Sequence, residues 1–238
     1  MKRIFIPIFF LAFTIPSFAQ SNFYKLSIGA GGGFTQSFTE VKKHDFAVAG
    51  YGTLDYLLTP FISLGIEGQK GQISGGDFHT DPRNRQFINS YMSFAFNGRI
   101  SLGQFLDDRY RYNGVSNFLK GLYAGAGVGA IKNNPLFTTS LDPEDPNHAY
   151  TAQSASKDIF FPLNLGINIY FADREGFYRY ALNLNYQGNI TLGEGLDGYD
   201  DTKTTFRSGT PDAFTFLSVG VKYNFGKMGL SRKTFRRY

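Results

Sequence analysis

The sequence predicts an all-β chain that closes into a single antiparallel up-and-down transmembrane β-barrel of about eight strands. Three observations predict it. The last regular stretch sets Leu217, Val219, Val221, Tyr223 and Phe225 on one face and Ser218, Gly220, Lys222 and Asn224 on the other. That two-residue alternation defines a strand with one apolar and one polar side. The pattern then recurs along the chain. Finally, the chain opens with an export signal, and no later stretch is apolar enough for a membrane helix, so a spanning form has to be a barrel.

At the N-terminus, Lys2 and Arg3 precede a short apolar run over 4–15, and Ser17-Phe18-Ala19 forms a small-x-small cleavage site. This predicts a signal peptide over 1–19. The run is shorter than the roughly 20 residues of a spanning helix, and Pro7 and Pro16 interrupt it. The barrel is expected over 20–226 and a basic tail over 227–238. The chain has no cysteine, which excludes disulfides, thiol chemistry and a lipid-bearing cysteine at the cleavage site.

The first strand is read over 24–35, with Leu26, Ile28, Ala30 and Phe34 opposed to Ser27, Gly29, Gly31 and Gly33. The second, over 46–58, sets Val48, Leu54 and Tyr56 against Ala47, Ala49, Thr53 and Asp55. After the tight turn Thr59-Pro60 comes the third, over 61–73, with Ile62, Leu64 and Ile66 against Ser63, Gly65, Glu67 and Gln69. A fourth over 87–103 opposes Met92, Phe94, Phe96 and Ile100 to Ser93, Ala95, Asn97 and Arg99. The fifth, over 122–132, sets Leu122, Ala124, Ala126 and Val128 against Tyr123 and a run of glycines. The sixth (160–171) and seventh (177–190) carry Asn164, Asn168, Asn183, Asn185 and Gln187 on their polar faces. The eighth covers 212–226.

The connections alternate. Long ones are expected over 36–45, 74–86, 133–157 and 191–211, and short ones after the second and sixth strands, the asymmetry of outer-membrane barrels. The connection 104–121 breaks the rule, with space for a helical turn or a small hairpin.

The net charge is +5, but it resides at the two ends. The signal holds two cations, and the tail holds Lys227, Arg232, Lys233, Arg236 and Arg237 with no acid. The body between them is slightly acidic, which removes support for nucleic acid as a partner. Mean hydropathy is −0.22, yet a barrel hides its apolar face by alternation. The polar faces are small or amide-bearing, as suits a narrow interior. Tyr24, Tyr56, Phe61, Phe171, Phe177, Tyr178, Tyr223 and Phe225 cluster near strand ends, where an interfacial aromatic girdle lies.

Three stretches carry a family likeness: Thr59-Pro60-Phe61-Ile62-Ser63-Leu64-Gly65-Ile66-Glu67, Leu122-Tyr123-Ala124-Gly125-Ala126-Gly127-Val128-Gly129 and Val219-Gly220-Val221-Lys222-Tyr223-Asn224-Phe225. On these the chain resembles the small OmpA-like outer-membrane barrels of Gram-negative bacteria. The resemblance implies an integral outer-membrane location, contact with outer-membrane lipid and lipopolysaccharide, and insertion by the barrel-assembly machinery with Tyr223 and Phe225 as the assembly signal. The chain departs from the pattern in two respects. A basic tail follows the terminal aromatic, and that tail is too short to be a peptidoglycan-binding domain.

By the same alternation Glu67, Arg99, Arg179 and Lys222 point inward and form a lumen charge network, because buried charges need partners. Two readings stay open: a gate that opens a pore, or a plug that fills a lumen narrow enough for side chains to close. The histidines His44, His79 and His148 fall in long loops. His79 has Asp77, Asp81 and Ser74 near it, the residue types of a lipid hydrolase, without a spacing that favours a triad. The acidic loop residues Asp142, Glu144, Asp145, Asp197, Asp200 and Asp201 lack the spacing of a calcium loop. Lys42, Lys43, Arg83 and Arg85 are placed to meet lipid phosphates. The expectation is a non-enzymatic barrel with a structural or surface-interaction role, with no cofactor and no metal. A small pore and a lipid-acting enzyme are the alternatives.

Overall fold

The structure is a computed structural model. It describes residues 21–39, 43–81, 86–106, 118–139, 155–193, 196, 212–231 and 233. The expected signal peptide lies outside the described residues. Eight strands follow in chain order: β1 Ser21–Phe38, β2 Phe46–Thr59, β3 Ile62–Gly76, β4 Gln86–Ser101, β5 Leu122–Thr139, β6 Ser156–Ala172, β7 Tyr178–Thr191 and β8 Ala213–Ser231. Each pairs antiparallel with its sequence neighbours, and β8 returns to β1, so the sheet is a closed barrel with no free edge. Closure satisfies every ladder bond within the protein, the condition for crossing lipid with strands.

The faces follow the alternation of the sequence. In β2 the even residues Val48, Leu54 and Tyr56 are exposed, while Thr53 and Asp55 are buried. In β4, Met92, Phe94 and Phe96 are exposed, while Tyr91, Ser93 and Asn97 are buried. Every strand thus carries exposed apolar side chains on its outer face, as a barrel wall that meets lipid does.

Two short turns lie at the end that holds both strand termini. Thr59 Oγ1 accepts the backbone N–H groups of Phe61 (3.2 Å) and Ile62 (3.0 Å), which closes the β2–β3 turn. Asp173 Oδ1 does the same for Glu175 (3.0 Å) and Phe177 (2.9 Å) between β6 and β7. After β4 the chain makes a 3-10 turn over Leu102–Gln104.

Several strands run longer than expected, β5 to Thr139 among them, and one extension moves the boundary of the barrel itself. β8 does not stop at Gly226 but continues to Ser231, so Lys227 belongs to the barrel. A bulge between Tyr24 and Leu26, with Gly226 at φ 87°, resets the register, and Gly229 and Leu230 then pair with Phe23 and Asn22.

Candidate functional site

Polar and charged side chains converge in the barrel interior, which divides into two halves. The half near the turns carries ion pairs. Arg99 projects from β4 and donates through Nη1 to Asp55 Oδ1 (2.9 Å) and through Nη2 to Glu67 Oε2 (2.5 Å). Lys222 Nζ donates to the other oxygen of Asp55 (2.7 Å). Glu67 Oε1 accepts from Gln69 Nε2 (2.7 Å) and Gln187 Nε2 (3.1 Å), and Tyr91 O–H donates to Gln69 Oε1 (3.1 Å). Two carboxylates thus face two cations, and Arg99, Asp55 and Glu67 are all buried. Amides tile the wall around them. Asn185 donates to Asn164 (2.9 Å), Asn164 to Asn97 (3.2 Å), and Asn183 to both Asn168 (2.8 Å) and Tyr123 (2.9 Å). Such a network is stable only while its members remain paired.

Of the four charged residues predicted to face the lumen, the structure joins Glu67, Arg99 and Lys222 and leaves Arg179 out. Arg179 stands at the start of β7, beside the β6–β7 turn. Its Nε bonds Asp173 Oδ2 at 3.0 Å, its Nη1 bonds Tyr223 O–H at 3.3 Å, and its Nη2 reaches Tyr24 O–H. Inward parity at a strand end aims a long side chain at the rim, not into the tube. Asp55 takes the place the expectation gave to Arg179. Its inward parity on β2 was the available signal, and as the shared partner of two cations it is the centre of the cluster. At the rim, burial works against ionisation of Asp173, but the Phe177 N–H, Arg179 and the Glu175 N–H outweigh it and hold the carboxyl below the usual range.

The half near the long loops carries an apolar cluster beside buried polar side chains such as Asn89, Asn133 and Asn189. Ile73, Phe87, Tyr91, Ile131, Phe160, Phe214 and Phe216 form one buried cluster, and Leu196 from the β7–β8 connection packs into it at 1% exposure. Leu196 is held there by its backbone: its carbonyl accepts from Asn89 Nδ2 (2.9 Å) and its N–H donates to Asp212 (3.2 Å). At the opposite end Phe61 is 2% exposed under the lumen, over Gly103, where an added Cβ would lie 2.3 Å from its ring. The space left beside Asp55, Arg99 and Lys222 is about 30 Å³, enough for one or two waters.

Tyr223 and Phe225, the expected assembly signal, sit on the outer face of β8 with stacked rings 6.0 Å apart. Asp77 accepts the backbone N–H of His79 (3.0 Å), which chiefly lowers its carboxyl below the ordinary value, while the His79 ring stands edge-on to Phe78. That carboxylate serves a turn and does not orient the imidazole. The ring of His44 lies 5.4 Å from Phe38. Lys43 pairs with Asp45 and Asp77, each at 3.6 Å. His148, Lys42, Arg83, Arg85 and the acidic residues Asp142, Glu144, Asp145, Asp197, Asp200 and Asp201 lie outside the described residues. Among the described residues no three His, Asp or Glu side chains form a group suited to a metal ion.

A closed eight-stranded barrel, filled within and apolar without, is the architecture of the small outer-membrane barrels. No family model matches the sequence, and no curated protein matches it. Solved structures with a similar fold include Neisserial surface protein A (9% identity, TM-score 0.47), covering 86% of this chain and 99% of that one. Ail, the attachment invasion locus protein of Yersinia pestis, gives 11% identity and a TM-score of 0.44 over 85% of this chain and 99% of that one. The N-terminal β-barrel domain of Pseudomonas aeruginosa OprF gives 12% and 0.36 over 85% and 98%.

Proposed function

We propose that this chain is an integral outer-membrane protein whose sealed barrel acts as a rigid stand for its long loops, in a structural or surface-interaction role and not as an enzyme or a channel. The signal-like N-terminus supports export, and the apolar outer wall supports insertion in lipid. Tyr223 and Phe225 on the last strand are the residues by which the assembly machinery would recognise it. The observation that carries the reading is the fill of the lumen. Phe61 closes one end, Leu196 and the phenylalanine cluster close the other, and ion pairs occupy the space between. A conducting pore needs a continuous polar path, and this interior has an apolar stopper across it.

The test is planar-bilayer recording of the mature chain, after heat-modifiable gel mobility has shown a folded barrel. The expected result is a folded band and no discrete conductance. Reproducible single-channel steps from that folded material would overturn the reading and favour a small pore.

A further inference from the structure

The outer wall carries a feature that barrel closure does not require. Pairing across β3 to β6 places Lys70 opposite Met92, Met92 opposite Lys132, and Lys132 opposite Lys157. All three lysines point outward and are exposed. With strands about 4.8 Å apart, their backbones fall within roughly 15 Å of one another, and the flexible stems let the three ammonium groups converge over Met92. No acidic residue occupies an outward position of β2 to β6. Asp158, next to Lys157, is turned inward to Ser156 and Asn133. Among the described residues the three positive charges therefore repel one another without an acidic partner on this wall.

Their position along the strands is informative. Toward the loops the next outward residues are Gln72, Ser90 and Asn134; toward the turns they are Gly68, Phe94, Ala130 and Ile159. The lysines thus mark the boundary between apolar belt and polar rim, the level of the lipid headgroups.

Directly below them the wall is hollowed. A groove of about 510 Å³ runs over Gly50, Gly52, Gly68, Met92, Phe94 and Ala130. The glycines are not forced by the barrel. A Cβ on Gly50, Gly52 or Gly68 would meet nothing nearer than 3.7 Å, 3.8 Å and 4.0 Å respectively. On the inner face, by contrast, a Cβ on Gly33 would lie 2.0 Å from the Leu217 carbonyl. None of the three outward glycines has a positive φ. Glycine weakens a strand and marks a bulge, a tight bend or close approach by a ligand or another backbone; the pairing runs without a register shift at all three, which leaves close approach.

We propose that this wall seats one phosphorylated glycolipid of the outer leaflet, with its phosphates on Lys70, Lys132 and Lys157 and an acyl chain in the groove over Gly50, Gly52 and Gly68. The proposal rests on the outer-membrane reading above and narrows one partner to one face. A headgroup with two phosphates matches three converging ammonium groups, and an acyl chain matches a smooth apolar trough that begins directly beneath them.

The test uses the mature full chain folded in detergent micelles, with diphosphorylated lipid A as the probe and phosphatidylglycerol as the comparison lipid, read by native mass spectrometry. Lipid A should bind at least tenfold more tightly than phosphatidylglycerol. The triple variant K70Q/K132Q/K157Q should lose that preference, and G52L/G68L should weaken lipid A several-fold. The control G188L, on the outer wall of β7 where a Cβ meets nothing within 4 Å, should leave binding unchanged. Equal affinity for both lipids, or a triple variant that binds lipid A like the parent chain, would overturn the proposal. So would a dimer abolished by G52L/G68L, since a second copy would then be the occupant. Heat-modifiable mobility of every variant separates this failure from the failure of the barrel reading itself.

Discussion

The two halves of the lumen solve the same problem with opposite chemistry. Near the turns, Asp55, Glu67, Arg99 and Lys222 fill the tube with charge set against charge. Near the loops, Phe87, Phe160, Phe214 and Phe216 fill it with rings packed on rings, with Leu196 as the lid. Both fills occupy the lumen, but they respond to damage differently. An apolar cluster loses stability in proportion to the volume removed, because neighbours collapse into part of the gap. A buried ionic network loses it in steps, because removing one member leaves another charged and unpaired.

The largest effect should come from the charged half. Arg99→Met strips Glu67 of its cation while Asp55 keeps Lys222, and it should cost about 3–5 kcal/mol in urea unfolding from lipid vesicles followed by gel mobility. The double variant R99M/E67Q should recover most of that loss, since Gln69 and Gln187 still bond the neutral side chain. Recovery of none of it would mean that Arg99 acts by packing, and the contrast between the halves would fail.

In the apolar half, Phe160→Ala should cost about 3 kcal/mol and Phe160→Leu about 1 kcal/mol, graded by volume in the same assay. A flat response would show that the cluster is loosely packed. Leu196→Ala should cost about 2 kcal/mol, less than Phe160→Ala, because its side chain is smaller and is held by backbone bonds that the substitution keeps. It should also leave the bilayer silent, since the phenylalanines lie beneath it. Conductance appearing in that variant alone would make Leu196 the gate.

The sequence discloses the walls better than the fill. Every strand was legible from apolar and polar residues two apart, because lipid on one side and a narrow interior on the other enforce that alternation. Strand ends were less legible. β5 runs to Thr139 through Asn133, Asn134 and Pro135, where the chain rises past the lipid and outward residues are no longer held to apolar types. The apolar lumen cluster was missed because inward positions were expected to be polar, although Phe87, Tyr91, Phe214 and Phe216 share the parity of Asn89, Ser93 and Ser218. Parity gives direction and not depth. It therefore sent Arg179 inward with Lys222, when its place at the strand end brings it to Asp173. The lysine row needed register: Lys70, Lys132 and Lys157 are far apart in sequence, and only pairing through Met92 aligns them.

The smallest effect lies at the rim, where Asp173 caps the β6–β7 turn and holds Arg179. Its carboxyl is held below the ordinary value, so the folded form binds its proton less readily than the unfolded chain. The linked stability is therefore present at neutral pH, above the unfolded carboxylate value of about 3.9. It fades as pH falls below that value through the folded one. Asp173→Asn should unfold slightly more readily than the parent chain at pH 7, and the gap should close as pH is lowered through the carboxylate range, read as urea midpoints in vesicles. The mutant should keep the lumen intact, because neither Asp173 nor Arg179 reaches Asp55 or Glu67. A deficit that persists undiminished in acid would assign the loss to turn geometry instead of charge. If the loss instead matched that of Arg99→Met, rim and lumen would form a single network, contrary to the separation that the hydrogen bonds draw between them.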